Sequence, residues 1–453
     1  MSSEEVSATK PTTRFSIYVL SATLILAAGF IEREYRYVYF ALSMILLLVF
    51  LRGYTEISLT ILSRMSIRRE IEGSLEGGEV SVIFYLENKS LIPVLFAELF
   101  IDHTPHLMRI SPQRFLLIFL PKSISRVRIV FRGRIGLHRI GPVKIVLRDP
   151  LGLFRSREVI VHEPFYVRIS PRVTQSALTR IYSFARSIGA SRSRKAGEGV
   201  EFMYVREYRP GDEPRRVFWK AFAKTGRLVI KEMERESSLR ILYLLIASEE
   251  MFEGVYGSTP YEQIARVITS VSRYLTSRSD PQAIIMVTPA GSSFMSSFMR
   301  GAEGFNEILR ILTSIDYESI FLRDHAEKIS EETFAVRIEY LVKKLIDLLG
   351  REKTVVFIFS DPVAASTKSF ENLIIFLRGS GHSVNVLIPL RSLYDIGFAK
   401  DLSSLIYRIK IIDEIKRETS VAKKYRSFGV NTVILRPDQM IHSIVREIEY
   451  QRY

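Results

Sequence analysis

The sequence predicts a multi-domain chain: an N-terminal transmembrane helical hairpin, then an immunoglobulin-like β-sandwich, then a doubly wound α/β domain. Three observations predict it. Two apolar runs stand close together near the N-terminus, Phe15 to Ile31 and Tyr37 to Leu51. Short runs of alternating character, separated by turn residues, fill the stretch from about Thr55 to Pro171. From Leu239 onward, strand-like and helix-like segments take turns. A chain of 453 residues is also too long for a single core. The expected divisions are a polar tail over 1–14, two transmembrane helices over 15–54, the sandwich over 55–171, a linker and signature segment over 172–238, and the α/β domain over 239–453.

Composition narrows the function classes. There is no cysteine, which excludes disulfides, thiol nucleophiles and Cys-ligated zinc. Abundant Ile, Arg and Glu without Cys points to a source that grows hot. Lys and Arg number 64 against 49 Asp and Glu, a net charge of +15, which permits contact with nucleic acid or anionic lipid. No nucleic-acid recognition motif accompanies the charge, so basic membrane flanks and a solvated Arg-rich surface are the favoured reading. The competing reading places nucleic acid on the basic run Arg192, Arg194 and Lys195, and predicts steeply salt-dependent binding.

The first apolar run ends at Glu32, Arg33, Glu34 and Arg36, and the second begins at once. Each is at the short end of what crosses a bilayer, with Tyr35, Tyr37, Tyr39 and Tyr54 suited to the interface. A signal peptide would need a small-residue cleavage site, which the charged link does not offer. A hairpin returns the chain to its starting side. Lys10 and Arg14 precede it, and Arg52, Arg64, Arg68 and Arg69 follow it, so the N-terminus and the large C-terminal body are expected in the cytoplasm.

The sandwich is read from strands such as Glu79 to Leu86 and Arg126 to Arg132, the latter close to period 2. Turn signals separate such runs at Gly77-Gly78, Arg132-Gly133, Gly141-Pro142 and Asp149-Pro150-Leu151-Gly152. Their regular spacing argues for an immunoglobulin-like sandwich. His103 and His106 share a loop without a further evident ligand, so a solvated loop is expected there rather than a metal site.

The densest information lies between Gly197 and Glu236. Residues 190–199 are polar, basic and Gly-containing, and are expected to form a loop. Val200 to Tyr208 reads as a strand, Arg209-Pro210-Gly211-Asp212 as a turn, Arg215 to Lys224 as a short helix with the only Trp, and Arg227 to Met233 as a second strand. Asp212 is placed to accept from backbone N–H groups of its own turn or to pair with Arg215 or Arg216. Trp219 is expected to pack a strand against the α/β domain and use its indole N–H as an anchor. The favoured role is a network that clamps two domains, with a partner-recognition surface as the alternative. No nucleophile–base pair is discernible, so an enzyme is not expected.

These residues carry a resemblance. Gly197, Gly199, Glu201, Phe202, Arg206, Tyr208, Gly211, Asp212, Arg215 with Arg216, Trp219, Lys220, Leu228, Lys231 and Glu236 are similar to the core signature of the domain of unknown function 58 family. Arg132-Gly133 and Asp149 to Phe154 resemble that family's lead-in. The resemblance covers nearly the whole chain. The two-helix anchor fits that family as well, and the resemblance implies work beside an AAA+ ATPase of the MoxR type in membrane-linked assembly or maturation of other proteins. No cofactor is expected.

The last domain is read from strands at Leu239–Ala247, Gln282–Thr288, Thr354–Phe359, Val384–Pro389 and Asn431–Leu435, with helices between them, including Glu331 to Leu349 with Phe334, Ile338, Leu341 and Leu345 on one face. Such alternation gives a mostly parallel sheet covered on both faces. The family resemblance implies a von Willebrand factor A-like fold, whose divalent-cation site uses Asp-x-Ser-x-Ser, a Thr and a later Asp. Here Ile246 replaces the first Asp, Ser248 and Glu250 stand at the two Ser positions, no Thr lies in Arg300 to Glu303, and Asp361 alone matches. The expectation is a remnant that still shapes a binding face. A bound divalent cation (Mg), with Ser248, Glu250 and Asp361 as ligands and Glu249 assisting, is the alternative. A cation-dependent hydrolase using Asp361, Glu249 and Glu250 would require those carboxylates to converge.

Overall fold

The computed structural model describes residues 9–72, 79–173, 175–190, 196–234, 239–254, 257–289, 292–321, 331–389, 402–435 and 439–452. The chain forms two compact units, Met1–Ile169 and Ser170–Tyr453.

The first unit opens with strand β1 (Thr9–Pro11) and helices α1 (Thr13–Glu32) and α2 (Tyr35–Ser63). Both helices are long and apolar enough to cross a membrane by length and composition. Arg33, at φ 55°, ends α1, and the N–H of Glu34 returns to the Gly29 carbonyl. The buried positions of α1 are small, Ala22 and Gly29, and Ala41 is buried on α2, which lets the two backbones approach closely. A Cβ on Gly29 would stand 3.0 Å from Val38 Cγ2 and 3.1 Å from the Val38 amide nitrogen. The predicted end of the second helix at residue 54 falls short. The helix continues to Ser63, because Leu59 and Leu62 find apolar cover in the β-domain core.

That core lies between two antiparallel sheets. One is ordered β2 (Ser66–Glu72), β3 (Glu79–Asn88), β7 (Ser123–Gly133), β5 (Leu107–Arg109); the other is ordered β10 (Val159–His162), β8 (Gly136–Leu147), β4 (Val94–His103), β6 (Phe115–Phe119), with β11 (Phe165–Ile169) also on β8. Alternation decides which side faces in: on β7, Val127, Ile129 and Phe131 are buried, while Arg126, Arg128 and Arg132 face out. These join Val82 and Phe84 of β3 and Leu99 and Ile145 of the other sheet. Strand β9 (Phe154–Ser156) pairs with β1.

The second unit begins with helix α3 (Gln175–Ala190), followed by a hairpin of β12 (Ala196–Glu207) and β13 (Val229–Glu234) that encloses helix α4 (Trp219–Thr225). The expected linker 172–238 therefore carries regular structure at both ends. The α3 helix packs on α5 (Pro260–Thr276) and on the last helix, with Tyr182 edge-on to Tyr274. The rest is a six-stranded sheet ordered β16 (Ser293–Met295), β15 (Gln282–Val287), β14 (Arg240–Ile246), β17 (Thr354–Ser360), β18 (Ser383–Pro389), β19 (Asn431–Leu435). All its pairings are parallel except β15 with β16. Intervening helices are α6 (Gly301–Leu312), α7 (Tyr317–Phe321), α8 (Glu331–Leu349), α9 (Pro362–Ala365), α10 (Lys368–Gly379), α11 (Leu402–Ser427) and α12 (Met440–Arg452). Near-continuous apolar strands reflect burial on both faces: Leu242, Leu244 and Ile246 share a core with Ile338 and Leu345 of α8 and Phe370 of α10, while Tyr243 and Phe357 stack on the opposite face. The α5 helix starts at a full capping box, Thr259 with Glu262.

Candidate functional site

The hairpin brings most of the signature together. Strand register sets Arg206 opposite Ile230 and Glu207 opposite Val229. Beyond that point the chain turns at Arg209–Asp212, where Gly211 holds φ 104°, a conformation that needs glycine. Asp212 closes the turn. Its Oδ2 accepts the Arg209 N–H at 2.8 Å and Arg206 Nη1 at 2.8 Å, and its Oδ1 accepts Arg206 Nη2 at 2.7 Å. This is a two-pronged guanidinium–carboxylate pair. The Arg206 guanidinium, then the Arg209 amide, hold the Asp212 carboxyl down at about 2. The predicted partners Arg215 and Arg216 are displaced from this role: Arg216 pairs with Glu213 at 3.2 Å. Arg206 wins because it lies on the adjoining strand end, where its planar fork meets the carboxylate without bending the turn.

The Asp212 clasp presents a short 3-10 turn, Pro214–Arg216, and α4. Val217 bridges to Ile230, and the Phe218 N–H donates to the Val229 carbonyl at 2.8 Å, fastening the excursion to β13. Lys231 stands 4.3 Å from the centre of the Phe218 ring. Trp219 does not pack against the α/β body as expected. It is 60% exposed and meets Phe222 edge-on at 6.2 Å. The reason is local: α4 is only two turns long and buries none of its own residues, and the inward contact with β13 is made by Val217 just before it. The outcome is an exposed aromatic pair, Trp219 and Phe222, on an excursion that also exposes Tyr208, Arg215, Lys220 and Lys224. Gly199, Glu201 and Phe202 lie on β12, where only the backbone is described. The basic run Arg192, Arg194 and Lys195 lies outside the described residues.

A second location is set by topology. The strand order reverses between β14 and β17, and ligands of such sheets sit outside the strand carboxyl ends at that point. Ser248 follows β14 and Asp361 follows β17. The structure does bring these two together: Asp361 Oδ2 accepts the Ser248 N–H at 2.7 Å, and its Oδ1 accepts the Ala364 N–H at 2.9 Å, capping α9. Burial pushes the Asp361 carboxyl up, against these donors. Both its oxygens are thus engaged by backbone. Glu249 and Glu250 are exposed on the 3-10 turn after β14, and among the described residues no three His, Asp or Glu side chains gather. The donor set therefore reads as a buried clip between two loops.

Comparison with known proteins adds one firm result. Residues 204–389 match the family model described as Protein of unknown function DUF58. The DUF58 segment starts on β12 and ends with β18, so it contains both the Asp212 clasp and the Asp361 clip. No curated protein matches. Among solved structures, a FixG-related protein from Vibrio parahaemolyticus is 13% identical over 23% of this chain and 93% of that one, at TM-score 0.16. The sporulation control protein Spo0M of Bacillus subtilis is 10% identical over 30% and 59%, at TM-score 0.14. Native alpha-2-macroglobulin of Escherichia coli, from domain MG7 onward, is 10% identical over 86% and 63%, at TM-score 0.18. At such scores these likenesses have no bearing on fold or function.

Proposed function

We propose that this protein is a non-enzymatic, membrane-anchored adaptor that works with a MoxR-type AAA+ ATPase in assembly or maturation of membrane or cell-surface proteins. The observation that carries the adaptor part is the exposed Trp219 surface. A DUF58 signature residue of high apolar area stands in solvent on a hairpin braced by an ion pair, among Arg and Lys side chains. Exposed Trp, Tyr and Arg are the residues that dominate protein interfaces, and exposed Arg215, Lys220 and Lys224 on the same excursion suit an acidic partner face. The choice of ATPase rests on the family resemblance. We read the second unit as von Willebrand factor A-like, a reading supported by its strand order and antiparallel third strand, and the sandwich as immunoglobulin-like. The two apolar helices and their basic flanks support an anchor with the body on the cytoplasmic side.

The test is calorimetric titration of the detergent-solubilised full chain with the MoxR-type ATPase of the same genome. The parent should bind, and Trp219→Ala should lower affinity at least about tenfold, as loss of an interface anchor does, with the melting temperature unchanged. No binding by the parent would sink the ATPase reading. Equal binding by Trp219→Ala would remove the hairpin as the contact surface.

A further inference from the structure

The sandwich end that receives α2 carries apolar tips that no protein core uses. We propose that this end lies in the headgroup layer of the bilayer, with Leu91, Leu120 and Leu151 immersed and Lys89 and Lys122 facing anionic headgroups. The proposal rests on the membrane-anchor reading of α1 and α2.

Three sets of contacts fix the height of this end along α2. The Tyr54 hydroxyl, one turn beyond Leu51, donates to the Pro93 carbonyl at 3.0 Å and accepts the Leu95 N–H at 2.9 Å. The β3–β4 loop is thus level with the end of the apolar run. The segment after β8 reaches higher still: Leu153 and Phe154 pack with Leu51, Leu48, Phe15 and Tyr18, inside the runs themselves. Asp149 holds this segment, accepting the N–H groups of Leu151 at 2.9 Å and Phe154 at 2.5 Å. Thr12, at the foot of α1, donates through its hydroxyl to the Gly152 carbonyl at 2.7 Å. The Asp149-to-Phe154 motif therefore sits against the helix pair.

Antiparallel register brings the β6–β7 turn to the same end, since Asn88 pairs with Ser123 and Val94 with Phe119. The Asn88 amide donates to the Ile92, Phe119 and Leu120 carbonyls at 3.1–3.3 Å and locks the two loops into one rim. On this rim Leu91 is 74% exposed, Leu120 58% and Leu151 45%. Apolar tips continuous with the spans, beside Lys89 and Lys122, match the apolar-to-anionic gradient at a lipid surface. Because Leu59 and Leu62 seat α2 in the sandwich core, the rim cannot swing away from the bilayer without unseating the helix.

The absence of cysteine makes site-specific labelling clean. The full chain is reconstituted into phosphatidylcholine vesicles, with and without phosphatidylglycerol, as single-cysteine variants carrying an environment-sensitive nitrobenzoxadiazole label. Leu91→Cys and Leu120→Cys test the rim, Met108→Cys marks the far end of the sandwich, where Leu107 pairs with Gly133, and Ser43→Cys marks the middle of the second apolar run. The expected result is blue-shifted emission at 91 and 120, quenched by lipids with a shallow nitroxide, water-like emission at 108, and quenching at 43 by a deep nitroxide. Phosphatidylglycerol should strengthen the shallow quenching, and the Lys89→Glu, Lys122→Glu pair should reverse that gain. Labels at 91 and 120 that behave like 108 while 43 is deep would overturn the proposal and leave the anchor standing. A label at 43 that is not quenched would overturn both.

Discussion

Asp212 shows how one side chain can shape a surface it does not form. Its carboxylate joins a strand end, Arg206, to a turn amide, Arg209, and so fixes where Trp219 emerges. Asp212→Asn should leave the α/β body folded but raise amide exchange across 208–228 about tenfold, as expected when a local unit opens independently, read by hydrogen-exchange mass spectrometry. The carboxyl is held at about 2, below its unfolded value near 3.9. The clasp is therefore fully formed above about pH 4 and is lost as pH falls towards 2, so exchange over 208–228 should be flat from pH 5 to 9 after correction for intrinsic rates. Asp361 is the opposite case, with burial pushing its carboxyl up. Its contribution is greatest when protonated and declines as pH rises through its folded value. Asp361→Ala removes a helix cap and strands the Ser248 amide, and should cost about 1–2 kcal/mol in urea unfolding at pH 7.

At the scale of elements, α2 is the joint of the first unit. Its 29 residues span about 43 Å at 1.5 Å each, longer than its apolar run Tyr37 to Leu51, and the part beyond that run enters the sandwich. Leu62→Ala, at a site 2% exposed, should cost about 3 kcal/mol and render the sandwich more sensitive to protease. Ile57→Ala, on the exposed side of the same segment, should leave it unchanged. The apolar runs were legible because composition alone identifies them. The extension to Ser63 was not, since Thr55 to Ser63 mixes polar and apolar residues, and only the core beneath shows which face is covered.

Across the whole second unit, distant sequence segments close the α/β body. Glu449 and Arg452 of α12 meet Tyr274 and Asp280: the Tyr274 hydroxyl donates to Glu449 at 2.7 Å, and Arg452 pairs with Asp280. Asp280 and Glu449 side chains are fully buried; Glu449 keeps Arg278 at 3.6 Å, but Arg452→Ala leaves the Asp280 carboxylate without the cation it pairs with. The expected loss is about 3–5 kcal/mol, measured by urea unfolding, whereas an exposed pair such as Lys416–Asp413 should cost nothing measurable when broken.

The sequence by itself located strands β14, β15, β17, β18 and β19 of the α/β body and its longer helices, because hydrophobic periodicity and turn residues are local signals; it did not show the short antiparallel edge strand β16. It also identified Asp212, Trp219 and Asp361 as residues to watch. Tertiary structure decided what they do. Arg206, and neither Arg215 nor Arg216, holds Asp212; Trp219 faces solvent; Asp361 caps a helix and ties Ser248. The α3 helix joined the α/β layer although its segment read as linker. Each outcome turns on which partner the fold places within hydrogen-bonding or packing distance, and that is a property of the folded chain that no local pattern encodes.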